Sequence, residues 1–244
     1  MIYKHTDFQV PGFGEFTHEP REALGYRDAL LSLSPEAYWP LGEDSGTQLA
    51  DLAGSHILAL SGEYTLSRPA ASLSADDGAL QLLNGKAAAA GAVLPTALNA
   101  GFSVVFWVRR LVPNTAGRFL SQYDDGVPGR TSITLRGDGR LRLSVTGDPV
   151  FHSTAAPVDS WTHAVLTRDD SGNATWYVNG VADTTISGQN RAIADVPFIL
   201  GLHVESAIDV ELDEVAVFHA ALSPAQITWL YRVGADQPVP ALGV

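Results

Sequence analysis

The chain has 244 residues, 45% of them apolar and 17% charged, with 27 acidic against 15 basic side chains, a formal charge of −12 and no cysteine. That length is enough for a core burying roughly 70–75% of the unfolded surface, and the missing thiols exclude disulfides, cysteine zinc sites, iron–sulfur clusters and thiol nucleophiles. The acidic balance argues against a nucleic-acid partner or an anionic membrane surface, and no run of about 18 apolar residues is present to span a bilayer.

Residues 1–36 read as an arm. Phe8, Phe13, Phe16 and Tyr26 are scattered among proline, glycine and charged residues without a period. The start, Met1 to Phe8, has no apolar h-region and does not read as a signal peptide. Only Arg21–Leu33 has helical spacing, through Ala23, Leu24, Arg27, Leu30 and Leu31, and Pro35 ends it. Such a segment has too little apolar content to fold alone and should borrow a surface, from its own domain or from another chain.

Residues 37–222 read as short strands joined by turns. In Phe102–Arg109, Phe102, Val104, Phe106 and Val108 alternate with Ser103, Val105, Trp107 and Arg109. Thr131–Arg136 and Arg140–Thr146 flank Gly137-Asp138-Gly139, and Ala174–Val178 is followed by Asn179-Gly180, whose residue types suit a tight type I′ turn. Trp161–Arg168, Val181–Ile186, Phe198–Leu202 and Asp209–Phe218 complete the pattern. Strands at hairpin spacing with no intervening helix predict an all-β antiparallel sandwich.

A final helix is punctuated at both ends. Ser223 is placed as N-cap, Pro224 at the first helical position and Gln226 at the third, a capping box, with Leu222 and Ile227 as a hydrophobic staple and Gly234 as the stop. This helix is expected to cap one end of the sandwich. Residues 234–244, with Pro238 and Pro240, form a Pro-rich tail.

Tyr26 to Gly46, with Tyr38-Trp39-Pro-Leu-Gly inside it, resembles the opening of laminin-G-like, concanavalin A-like jelly rolls. Leu212-Asp213-Glu214-Val215 to Phe218, followed by Ala221-Leu222-Ser223-Pro224, resembles their closing strand and helix. Phe102–Val108, Trp161–Leu166 and Trp176–Gly180 match the middle strands in order. The resemblance covers residues 26–233 and implies a two-sheet jelly roll with a tendency to bind glycans or proteins, which is not a function by itself. It also implies a structural calcium ion between the first loop and the last strand, at Asp51 and Asp213, since hard carboxylate and carbonyl oxygens suit that ion.

Related sandwiches with glycosidase activity place paired carboxylates on one strand face. Period-two alternation puts Glu211, Asp213 and position 215 together, but 215 is valine, so the third acid is missing. No zincin, nucleophile-elbow or P-loop motif occurs, and the seven histidines lack ligand spacing. The expectation is a non-enzyme. Arg136-Gly137-Asp138 is accounted for by the hairpin, and Asn173-Ala174-Thr175 forms a glycosylation sequon.

For a glycan, the sequence offers Tyr123, Asp124 and Arg130, an aromatic on a turn beside polar groups. Beside the alternative of a sandwich-fold glycoside hydrolase, two functional readings follow. In the first, the chain is a virion structural protein, a phage capsid decoration or tail component at the virion surface. It forms a homo-oligomer anchored to other virion proteins through Phe8, Phe13 and Phe16. In the second it is an extracellular carbohydrate-binding or adhesion module, calcium-dependent if Asp51 and Asp213 hold the ion.

Overall fold

The computed structural model of the protein describes residues 25–71, 78–112, 116–154, 160–201 and 208–237. Two eight-stranded antiparallel sheets face each other. Across the first run β14 (Val181–Ile186), β13 (Ala174–Val178), β12 (Thr162–Arg168), β7 (Phe102–Arg110), β16 (Asp209–Phe218), β5 (Gly78–Leu83) and β4 (Tyr64–Pro69), with β1 (Ala37–Trp39) also on β16. Across the second run β11 (Phe151–His152), β10 (Leu141–Val145), β9 (Thr131–Leu135), β8 (Gly117–Gln122), β15 (Phe198–Gly201), β6 (Lys86–Ala88), β3 (Leu58–Ser61) and β2 (Gln48–Leu49). This is the two-layer jelly-roll sandwich that the strand pattern predicts.

The alternation along β7 decides what each sheet face meets. Phe102, Val104, Phe106 and Val108 enter the core between the sheets, beside Trp39, Phe119, Trp176 and Phe198. Val105 and Trp107 point the other way, into a second apolar cluster on the outer face of the first sheet. That cluster is roofed by two helices, α1 (Tyr26–Ser32) and α2 (Pro224–Gly234), through Tyr26, Ala29, Leu30, Ile227, Leu230 and Val233. Both faces of the sheet's centre are therefore covered, and β12 is buried along its whole length.

One helix departs from its sequence-based placement, and the other takes one of the two surfaces expected for it. Helix α2 starts as its residues dictate: Ser223 accepts from the Gln226 backbone N–H, and the Gln226 side chain accepts from the Ser223 N–H at 2.8 Å. It lies over the face of the first sheet rather than at an end of the sandwich, because its apolar side fits Trp107, Val165 and Phe218. Gly234 is the last helical residue and has no left-handed backbone. A Cβ there would stand 2.7 Å from Tyr26 and 2.8 Å from Trp107, so close packing explains the glycine. Helix α1, in the segment read as an arm, takes its surface from its own domain: Tyr26 and Leu30 are wholly buried against this same chain. Phe8, Phe13 and Phe16 lie outside the described residues.

The turn chemistry is as the sequence implies. Asn179 and Gly180 have φ of 50° and 76°, and Gly139 closes the β9–β10 hairpin at φ 85°.

Candidate functional site

The acids of β16 bear directly on the glycosidase reading. Opposite β7, Asp213 pairs with Trp107 and Ala216 with Val105, so β16 carries one extra residue between them. Glu214 absorbs that bulge in a left-handed conformation, φ 55°. The bulge sits where β16 changes its other neighbour, from β5 along residues 209–212 to β1 along 215–217. Its consequence is a change of phase. Val215 enters the inter-sheet core, and Ala216 and Phe218 join the outer cluster. Simple alternation, which groups position 215 with Glu211 and Asp213, is therefore overturned.

Glu211, Asp213 and Glu214 are all fully buried. Arg68 Nε reaches Glu211 Oε1 at 2.7 Å and Arg109 Nε reaches Oε2 at 2.6 Å. Asp213 accepts from the Ala71 N–H at 2.7 Å, and Glu214 accepts from the Tyr38 hydroxyl. Burial, reinforced by the negative Glu214, raises the phenols of Tyr26 and Tyr38 far above their ordinary range, so both stay neutral donors. Glycoside cleavage needs two carboxyl groups facing a substrate across an open cleft. These acids instead join β16 to β4, β1 and β7.

The calcium expectation does not fit the residues present. Asp51 Oδ1 accepts the N–H groups of Tyr38, Ala53 and Gly54 at 2.9–3.0 Å, and Oδ2 that of His56 at 2.9 Å. Burial works against its charge, but those four backbone donors prevail and hold the carboxyl below its ordinary value. Converging N–H dipoles repel a cation, and the oxygens of Asp51 already serve their own loop and the backbone of β1. Asp213 is tied to Ala71 on another segment. Among the described residues no group of three or more His, Asp or Glu side chains is placed to hold a metal ion.

The glycan candidates lie on the second sheet. On β9 and β10, Ile133, Leu135, Leu141, Leu143 and Val145 face the core, which turns Ser132, Thr134, Arg142 and Ser144 outward. Arg142 stands opposite His152 on one side and Thr134 on the other, and Thr134 stands opposite Arg118. Tyr123 follows β8, and its ring meets two guanidinium groups: Arg118 at 4.0 Å and Arg130 at 5.1 Å from the centroid. Asp124 is exposed on the same turn, and Arg130 lies 3.5 Å from Asp125. The structure thus brings Tyr123 and Arg130 together, as a guanidinium-stacked cluster rather than a bare aromatic platform, while the acid that Arg130 meets is Asp125 and not Asp124. Both described helices lie on the other sheet.

Arg118, Arg142 and His152 escaped the sequence reading, which took Arg136 only as part of a hairpin. The available signal was density: residues 118–142 hold five of the 15 basic residues of a strongly acidic chain. Asp138 of the Arg-Gly-Asp tripeptide is held by both Arg136 and Arg140, at 3.3 and 2.8 Å. Asn173 Nδ2, the atom a sequon would glycosylate, donates to Asp169 at 2.9 Å.

Residues 83–228, well over half of the chain, match the family model described as the concanavalin A-like lectin/glucanases superfamily. The chain belongs to that superfamily. No curated protein matches it. Among solved structures, the binding domain of botulinum neurotoxin DC in complex with rat synaptotagmin II is similar at a TM-score of 0.63 and 15% identity, over 82% of this chain and 51% of that one. A botulinum neurotoxin type C structure, whose description makes cell entry dependent on two ganglioside molecules, is similar at 0.62 and 15%, over 83% and 52%. The receptor-binding domain of the C/D mosaic serotype gives 0.62 at 13% identity, over 82% and 50%. The chain thus spans about half the length of these neurotoxin chains. At such identities the likeness is one of fold.

Proposed function

We propose that the chain is a carbohydrate-recognition module that binds on the outer face of the second sheet, at the Tyr123 turn. The observation that carries this reading is the convergence of Arg118 and Arg130 on Tyr123, beside the exposed turn residues Asp124 and Asp125, on the sheet face that neither described helix covers. A phenol edge, guanidinium N–H donors and a carboxylate acceptor are what sugar hydroxyls and an apolar sugar face require. Similarity to domains whose descriptions name gangliosides and synaptotagmin supports binding over catalysis. So does the structural engagement of all three β16 acids. The virion reading rests on Phe8, Phe13 and Phe16, outside the described residues, and no feature of the described structure favours it.

A glycan array probed with the full chain tests the proposal, with Tyr123→Ala as the matched control. We expect retention of a defined saccharide set and at least tenfold weaker retention by the variant. Retention of nothing, or equal retention by Y123A, would refute the site.

A further inference from the structure

We propose that the saccharide bears a carboxylate or sulfate, and that a recess beside Arg118, Arg136 and Arg142 receives that acidic group. This deepens the carbohydrate-binding reading and rests on it. The recess has a volume of about 380 Å³ and is lined by Arg118, Thr134, Arg136 and Arg142, together with backbone at Gly117 and Gly137.

Its chemistry is one-sided. The row across four strands runs His152, Arg142, Thr134, Arg118, with no carboxylate in it. Asp138, at the hairpin, is taken by Arg136 and Arg140. Arg118 and Arg142 have no ion-pair partner among the described residues, and Arg118 Nη1 and Arg142 Nε are buried atoms without a hydrogen-bond acceptor. Guanidinium N–H groups held out of water without an acceptor are costly, and a small side-chain shift that brings them to a ligand oxygen in the recess would satisfy them. Arg142 Nη2 reaches Thr134 Oγ1 only at 3.5 Å, and Arg136 Nη1 lies 3.3 Å from His152 Nε2. Burial and then the surrounding charges of Arg136, Arg142 and Arg140 lower the pKa of His152, as a cationic field requires. In a chain of net charge −12 such a field is local. The recess is contiguous with the Tyr123 cluster because Arg118 belongs to both. A sugar ring at Tyr123 can therefore extend an acidic substituent into it.

Calorimetric titration of the full chain separates the outcomes. The probes are sialyllactose, lactose, a heparin-derived tetrasaccharide, inorganic sulfate and a short polyphosphate. We expect one of the two acidic saccharides to bind at least tenfold tighter than lactose, to weaken as salt rises from 50 to 300 mM, and to lose about tenfold in affinity in Arg142→Gln. Equal affinity for acidic and neutral sugars would overturn this inference and leave the carbohydrate-binding reading standing. No binding of any saccharide would sink both. Polyphosphate or sulfate bound as tightly as the acidic saccharide would mean unspecific anion capture and would also overturn it. The comparison between acidic and neutral probes uses the unaltered chain, so a poorly folding variant does not spoil it.

Discussion

The Tyr26 hydroxyl of α1 lies 2.9 Å from Nε2 of His163 in β12, and both residues are wholly buried. The imidazole also packs edge-on against Trp107, with centroids 5.0 Å apart, and its backbone N–H donates to Asn179 Oδ1. This contact fastens the leading helix to the sheet, and burial keeps the ring neutral. Burial pushes the pKa of His163 down to about 3, from an ordinary 6.5.

Below pH 6.5 the unfolded chain takes up a proton at His163 that the folded chain refuses until about pH 3. Stability contributed by the neutral ring is therefore complete above 6.5 and is lost as pH falls through that window, at about 1.4 kcal/mol per pH unit. Urea midpoints at pH 7.5, 6.0 and 5.0 read the slope before most carboxylates protonate. His163→Phe should be less stable at neutral pH and flatter across this range. A wild-type midpoint constant from 7.5 to 5.0 would exclude the assignment.

Gly234→Ala should destabilise the fold by about 1–3 kcal/mol, the cost of overpacking, although alanine favours a helix. The added methyl meets Tyr26 and Trp107 at under 3 Å, and both rings are held by neighbours. Thermal melts of the two proteins check this. A raised melting temperature would show that the rings can yield.

Glu211→Gln should cost about 1–3 kcal/mol, less than a fully buried pair, because Arg68 and Arg109 keep 36% and 27% of their side chains in solvent. Saccharide binding on the opposite sheet should not change. Chemical denaturation gives the first quantity and calorimetry the second. Loss of a glycosidase activity without loss of stability would reverse the structural role given to this acid.

Asp51→Ala should destabilise by about 1–3 kcal/mol, since four backbone N–H groups lose their acceptor. Chelator should leave the melting temperature of the unaltered chain in place. A chelator-dependent fall, restored by calcium, would require a metal site built differently from the Asp51–Asp213 pair.

Local patterns carried much of the fold. The alternation in Phe102–Arg110, the Asn179-Gly180 turn and the Ser223–Gln226 box state their structures in a few adjacent residues, because steric and hydrogen-bonding preferences there act over one turn or one pleat. Strands such as Gly78–Leu83 and Lys86–Ala88 were illegible. Alanine and glycine have little preference for a pleated strand, and pairing with β16 or β15 imposes it. The anchoring expectation for Phe8, Phe13 and Phe16 concerns residues that the structure does not describe.

What the sequence alone determined is the sandwich and its turns, each a matter of neighbours along the chain. Only the tertiary structure decided that Val215 leaves the face shared by Glu211 and Asp213, since a bulge at one residue reverses the phase of every residue after it. It also decided that arginines up to 24 positions apart, 118 and 142, lie on one row. Strand pairing converts distance in sequence into adjacency across a sheet, and no local preference encodes that conversion.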